Sequence, residues 1–114
     1  MQDEFIYKIL TKSEFESLKN NNYFEGTKKD IDDGFIHFSK KNQLIGTLNK
    51  FYKNQKNLML LKISSLNLDN LKWENASDGQ IFPHLYSKLN TQNILVEYQI
   101  KDDLDGKFIL PTDY

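Results

Sequence analysis

Ile94-Leu95-Val96-Glu97-Tyr98-Gln99-Ile100 decides the fold class. Apolar residues alternate through it. Extended, it turns Ile94, Val96, Tyr98 and Ile100 to a core and Glu97 and Gln99 the other way, which is the period of a half-buried strand. Downstream, Asp103-Leu104-Asp105-Gly106 carries an Asp-Gly turn signal, and Lys107-Phe108-Ile109-Leu110 closes the chain as a short strand. Upstream, Leu58-Met59-Leu60-Leu61-Lys62-Ile63 is a continuous apolar run, the pattern of a strand covered on both faces. Phe5-Ile6-Tyr7-Lys8-Ile9-Leu10 is a further strand, with Tyr7 and Ile9 on one side and Ile6, Lys8 and Leu10 on the other.

Helical signals are confined to the first half. Thr11 and Glu14 stand at capping-box spacing ahead of Phe15 and Leu18, and Asn20-Asn21-Asn22 ends that helix. A second helix is predicted from Lys40 to about Tyr52, where Leu44, Ile45, Leu48, Phe51 and Tyr52 recur at helical spacing; Ser39 is placed to cap it. Between the helices, Tyr23 to Gly34 reads as a long polar connection. Its Asp30-Ile31-Asp32-Asp33-Gly34 run has a superficial likeness to a calcium loop, but Gly comes one position early and no Glu closes twelve residues. Phe35 to Ser39 reads as a strand. Residues 71–86 read as loop-rich, with Pro83 arguing for an edge strand or sharp turn. About six strands and two early helices do not alternate as a doubly wound sheet requires. The expected fold is therefore a single α+β domain over residues 1–114, mostly antiparallel.

At 114 residues the chain has the size of one domain. Hydrophobic residues make up 39% and charged residues 27%, which sets aside a disordered tail and a membrane span. Fifteen basic against sixteen acidic residues disfavour duplex nucleic acid held by excess positive charge. No cysteine is present, so disulfide scaffolds, thiolate metal sites and thiol nucleophiles drop out. The acidic start Met1-Gln2-Asp3-Glu4 lacks a secretory pattern, and a cytoplasmic protein is the expectation.

The chemistry rests on few residues. His37 and His84 are the two histidines, each with a hydroxyl two positions on, Ser39 and Tyr86. Imidazoles exchange protons near neutrality, and hydroxyls orient the ring or bind an anionic oxygen. Two such units facing one cleft suit acid–base work or phosphate binding; each histidine alone also fits a core role with its nitrogens bonded to backbone. Trp73-Glu74 adds an apolar wall and a carboxylate, either a base, an acceptor for ribose hydroxyls, or half of an ion pair. Gln43 lies one turn into the second helix and within reach of Ser39. His37, His84 and Glu74 are acceptable zinc ligands by type but lack a recognised spacing, so no metal is expected.

Ile6-Tyr7-Lys8-Ile9, Asp33-Gly34-Phe35-Ile36-His37-Phe38-Ser39, Gln43, Leu71-Lys72-Trp73-Glu74, Phe82-Pro83-His84-Leu85-Tyr86 and Gly106-Lys107-Phe108 together resemble the bacterial "domain of unknown function 952" family across nearly the whole chain. The departures are Ser87, where the family often has Gly, and Lys40, where Thr is common. The resemblance implies a fold similar to the ADP-ribosyltransferase class, a split antiparallel sheet with flanking helices around a nucleotide-sized cleft. It implies no established reaction. True transferases often read Tyr-His-Gly-Thr on the first strand. Here the stretch is Tyr7-Lys8-Ile9-Leu10, so Lys8 takes the place of the ribose-holding His, and only Glu97 stands for the late catalytic Glu.

The expectation that follows is a nucleotide site with NAD or ADP-ribose, or an RNA-linked phosphate, as substrate. His37, His84 and Glu74 would be catalytic, and Lys8, Ser39, Gln43, Trp73 and Tyr86 ligand-binding. The competing expectation is a module that binds such a ligand without turnover. Oligomeric state is left open.

Overall fold

The computed structural model describes residues 3–114. The opening apolar run is strand β1 (Phe5–Leu10), followed by helix α1 (Lys12–Lys19). The Thr11–Glu14 capping box forms in both directions. Next come β2 (Tyr23–Phe24), α2 (Lys28–Asp33), β3 (Ile36–His37), a 3₁₀ turn (Lys41–Gln43) and α3 (Leu44–Phe51). The second half is strand-rich: β4 (Leu58–Ser64), β5 (Leu71–Asn75), β6 (Ile81–Leu85), β7 (Leu89–Asn90), β8 (Ile94–Asp102) and β9 (Phe108–Ile109).

The strands form a four-stranded sheet in the order β1-β4-β8-β9, a three-stranded sheet β3-β6-β5 and the pair β2-β7. Every pairing is antiparallel. The two larger sheets are joined where β1 meets the chain after β3: Tyr7 and Ser39 exchange both backbone hydrogen bonds at 2.9 Å. The expected mostly antiparallel α+β fold is what forms.

Burial explains the apolar run in β4. One face of the large sheet, carrying Ile6, Leu10, Leu61 and Ile63, packs with Leu18 of α1 and with Ile36 and Leu85 of the small sheet. The other, carrying Tyr7, Ile9, Leu58, Leu60 and Ile100, packs with Leu44 and Leu48 of α3. With both faces covered, β4 is apolar on both sides up to the half-buried Lys62.

Four expectations need correction. The connection 23–34 contains β2 and α2. Thr27 and Asp30 form a second capping box, and Gly34 closes α2 at φ +89°, a conformation that favours glycine. The helix expected from Lys40 begins as the 3₁₀ turn, whose N-cap is Lys40; the Ser39 hydroxyl instead lies 3.0 Å from that of Thr47. Val96 does not enter the core. It is exposed and pairs with Lys62, next to a β-bulge that shifts the β4–β8 register.

Finally, β6 with Pro83 is the central strand of its sheet, flanked by β5, which was expected as loop. The ladder shows why proline is tolerated. Tyr86 donates to Asn70 and Ala76 to Gln80, so the bonded β5–β6 pairs are the even ones, and Trp73–Pro83 is a non-bonded pair. Pro83 therefore turns its backbone toward β3. There its carbonyl accepts from Phe38 at 3.0 Å, just past the end of that two-residue strand.

No helix among the described residues is long and apolar enough to cross a membrane.

Candidate functional site

The small sheet turns one face to the core and presents the other to a cavity. Ile36, Leu85, Leu71 and Trp73 lie on the core side. Side chains alternate along a strand and pair across it, so the other side carries Phe35, His37, His84, Tyr86 and Glu74. His37 and His84 are directly opposite each other on β3 and β6. Their ring centroids are 5.4 Å apart at a steep angle. Phe35 stacks on His84 at 4.1 Å and contacts His37 at 4.6 Å, fixing both rings. Both imidazoles line a cavity of about 440 Å³, within the range of small-molecule sites.

Each imidazole is backed by a carboxylate. His37 Nδ1 lies 2.6 Å from Asp30 Oδ1, and its Nε2 lies 3.0 Å from Asp33 Oδ2. His84 Nδ1 lies 2.9 Å from Glu74 Oε1, which also accepts a 2.6 Å bond from the Tyr86 hydroxyl. A carboxylate cannot donate, so Nδ1–H of His84 does, and the lone pair falls on Nε2. Among the described residues that Nε2 has no hydrogen-bond partner. Burial pushes the His84 imidazolium below its ordinary value, and the Glu74 hydrogen bond only partly offsets this. His84 is thus neutral at pH 7. Hydrogen bonds from Tyr86 and His84 hold the Glu74 carboxyl low, and the same bond raises the Tyr86 phenol.

Asp30 is the organising residue. It is 2% exposed and accepts from Lys8, from the His37 ring and backbone, and from the Thr27 backbone. Burial alone would raise its carboxyl; the His37 hydrogen bond and the Lys8 charge outweigh that and hold it well below the carboxylate range. Burial likewise pulls the Lys8 ammonium down against the attraction of Asp30. Lys8 also donates to the His37 carbonyl at 2.8 Å.

Lys8, His37, Ser39, Gln43 and His84 all line the cavity. Gln43 is a fastener there: its side chain accepts from Lys40 N and donates to the Ile81 carbonyl, tying the α3 end to β6. Glu74 and Tyr86 stand behind His84 rather than on the lining. Trp73 is not brought to the cluster; it packs on the core side of β5. Glu97 lies elsewhere, on β8, paired with Lys19 at 2.9 Å. Tyr52 also lines the cavity; burial pushes its phenol up to about 12, so it serves as a donor, to the Ile9 carbonyl. No cluster of three or more metal-ligating carboxylates and imidazoles occurs among the described residues.

Sequence reasoning missed Asp30, Asp33 and the packing role of Phe35. The signal for Asp30 was present: Thr27-Lys28-Lys29-Asp30 has the spacing of a capping box.

The model of the family described as "Protein of unknown function (DUF952)" matches residues 9–96. The chain belongs to that family. Solved structures of one relative match nearly end to end. The crystal structure of protein CC0527 from Caulobacter crescentus is 39% identical, with a TM-score of 0.87 over 92% of this chain and 93% of that one. Its solution NMR structure is also 39% identical, with a TM-score of 0.81 over 91% and 90%. No curated protein matches. The fold is thus shared with CC0527 over about nine-tenths of this chain, and the family match spans both histidines.

Proposed function

We propose that the cavity binds a nucleotide-sized ligand bearing phosphate, and that His37 and His84 form an acid–base pair acting on it. The protein would be an enzyme that processes ADP-ribose, NAD or an RNA-linked phosphate, similar to the ADP-ribosyltransferase class. One observation carries this reading: two imidazoles from distant segments, each held by its own carboxylate, meet 5.4 Å apart at one cavity. Orienting carboxylates of this kind fix the tautomer of a working histidine.

The roles follow from the hydrogen bonds. His84, neutral with Nε2 free, takes a proton from an attacking hydroxyl or water. His37 directs each ring nitrogen at a carboxylate oxygen, Nδ1 at Asp30 and Nε2 at Asp33. A phosphate oxygen replaces the half-exposed Asp33 at Nε2, while Asp30 holds the other side. Lys8 places a buried positive charge behind that point. Ser39 and Thr47 supply hydroxyls on the same lining.

A second reading, binding without turnover, is favoured by Lys8 and Glu97. Lys8 stands where the resemblance expects a ribose-holding His, but Asp30 and the His37 carbonyl occupy it. Glu97 pairs with Lys19 and does not line the cavity. Titrating NAD and ADP-ribose, then assaying NAD and 2′-phosphorylated RNA for turnover, separates the readings. Turnover lost in His37→Ala and His84→Ala supports the enzyme. Binding lost in those variants without any turnover supports the module. Absence of binding at millimolar ligand contradicts both.

A further inference from the structure

Helix α3 turns one side to the cavity. Gln43 precedes it, Gly46 and Thr47 follow one turn on, and Lys50 one turn beyond. Gly46 is the unexpected member. Glycine inside a helix is weaker than alanine, because more backbone freedom is lost on folding. A packed neighbour would explain it, but a Cβ built at Gly46 meets no atom within 4 Å. Nor is Gly46 among the residues with positive φ. Neither crowding nor backbone conformation within the protein therefore calls for glycine. What lies over it is the cavity, where a bare stretch of peptide leaves room for something flat to approach. Phe38, Phe51 and Phe82 supply aromatic surface on the same lining.

A second observation concerns charge. Lys29 and Lys50 converge on the ring of Phe51, their ammonium groups 5.5 and 5.1 Å from its centroid. Lys29 is paired with Asp33 at 3.1 Å. Lys50 has no ion-pair partner among the described residues. Asp78, on the same lining, accepts from the Gln80 backbone and side chain within its own turn, and these bonds, with a smaller contribution from the Lys50 charge beyond ion-pair distance, hold its carboxyl low. Lys50 thus offers a cation beside an aromatic ring, one helical turn from the bare backbone.

We infer that the planar ring of the ligand packs on α3 at Gly46 while an anionic group of the same molecule is held by Lys50. This rests on the nucleotide reading and deepens it. The ligand class becomes a larger molecule that contains a nucleoside monophosphate, with its base on α3, that phosphate at Lys50 and its remaining phosphate toward His37. Gly46 is then the residue that decides whether a flat base is accepted.

The test uses two probes, adenosine 5′-monophosphate and adenosine, on the full chain. Gly46→Ala is expected to raise the melting temperature by about 3–6 °C, because nothing in the protein opposes the added methyl. The same change is expected to weaken the monophosphate and adenosine alike by about tenfold, and Gly46→Leu to abolish both. Lys50→Gln is expected to bring the monophosphate down to the affinity of adenosine and leave adenosine unchanged. A Gly46→Ala protein that binds the monophosphate as the wild type does, or that melts lower, overturns the inference. If His84→Ala still loses binding in that case, the nucleotide reading stands and only the placement of the base is wrong. A wild-type protein that binds neither adenosine nor its monophosphate overturns both.

Discussion

Asp30 Oδ1 lies 2.6 Å from His37 Nδ1 while Asp30 Oδ2 lies 2.8 Å from Lys8 Nζ, so one buried carboxylate holds an imidazole and an ammonium together. Removing its charge leaves Lys8 buried without a counter-charge. Asp30→Asn is therefore expected to destabilise the fold by about 3–5 kcal/mol, read from urea denaturation. Asp33→Asn removes a half-exposed contact to the same ring and is expected to leave the midpoint nearly unchanged. The acid limb follows in sign. The folded Asp30 carboxyl titrates below its unfolded value, so its contribution is complete above about pH 3.9 and is lost as pH falls below that. Equal losses in the two variants would place the anchoring charge elsewhere.

His84 makes a second pH prediction. Burial lowers its folded value beneath the ordinary ~6.5, so the unfolded chain binds the proton first. Stability from this group is full above that value and falls as the solution is acidified through the interval down to the folded value. Glu74→Gln takes away the partner that pulls the other way. The His84 ring, followed by NMR, is expected to titrate below 6.5 in the wild type and lower still in Glu74→Gln. A rise in the variant contradicts the assignment of Glu74 as its orienting group.

The two aromatic residues expected at the site separate cleanly. Tyr86 donates to Glu74 at 2.6 Å behind His84, whereas Trp73 faces the core. Tyr86→Phe is expected to weaken nucleotide binding severalfold with little change in melting temperature. Trp73→Leu is expected to lower the melting temperature and leave affinity unchanged. Fluorescence of Trp73 quenched by stacked ligand would show the opposite arrangement.

Leu60 and Leu61 are neighbours on β4, and both are fully buried, on opposite faces. Leu60→Ala and Leu61→Ala are each expected to destabilise by about 2–5 kcal/mol in denaturant titrations. A sheet with one wet face would make one of them nearly silent.

Much of this was legible in the sequence. The β4 run was readable as a covered strand because burial on two faces leaves few polar positions to confuse the pattern; in β1 the period of two gave the faces but not that Lys8 is buried. That His37 shares a strand face with Phe35, and His84 with Tyr86, was legible from the period of two; that the two faces meet comes from the β3–β6 register, which no local pattern states. What failed depended on distant partners. Pro83 argued against a central strand because local rules do not say which side its missing N–H will face. Trp73 was grouped with Glu74, yet adjacent strand residues point to opposite faces, and the loop reading of 71–74 hid that. Asp30 sat in a run of acidic residues that look alike until one of them meets Lys8, twenty-two positions away in the chain.

The central claim is that two imidazoles serve one ligand. Following both histidine rings by NMR while ADP-ribose is titrated in tests it most directly. The account predicts that His37 and His84 resonances move together, with one common midpoint, and that either His→Ala change weakens that midpoint at least tenfold. Movement of one ring alone, or of neither while the protein saturates with ligand, would contradict it.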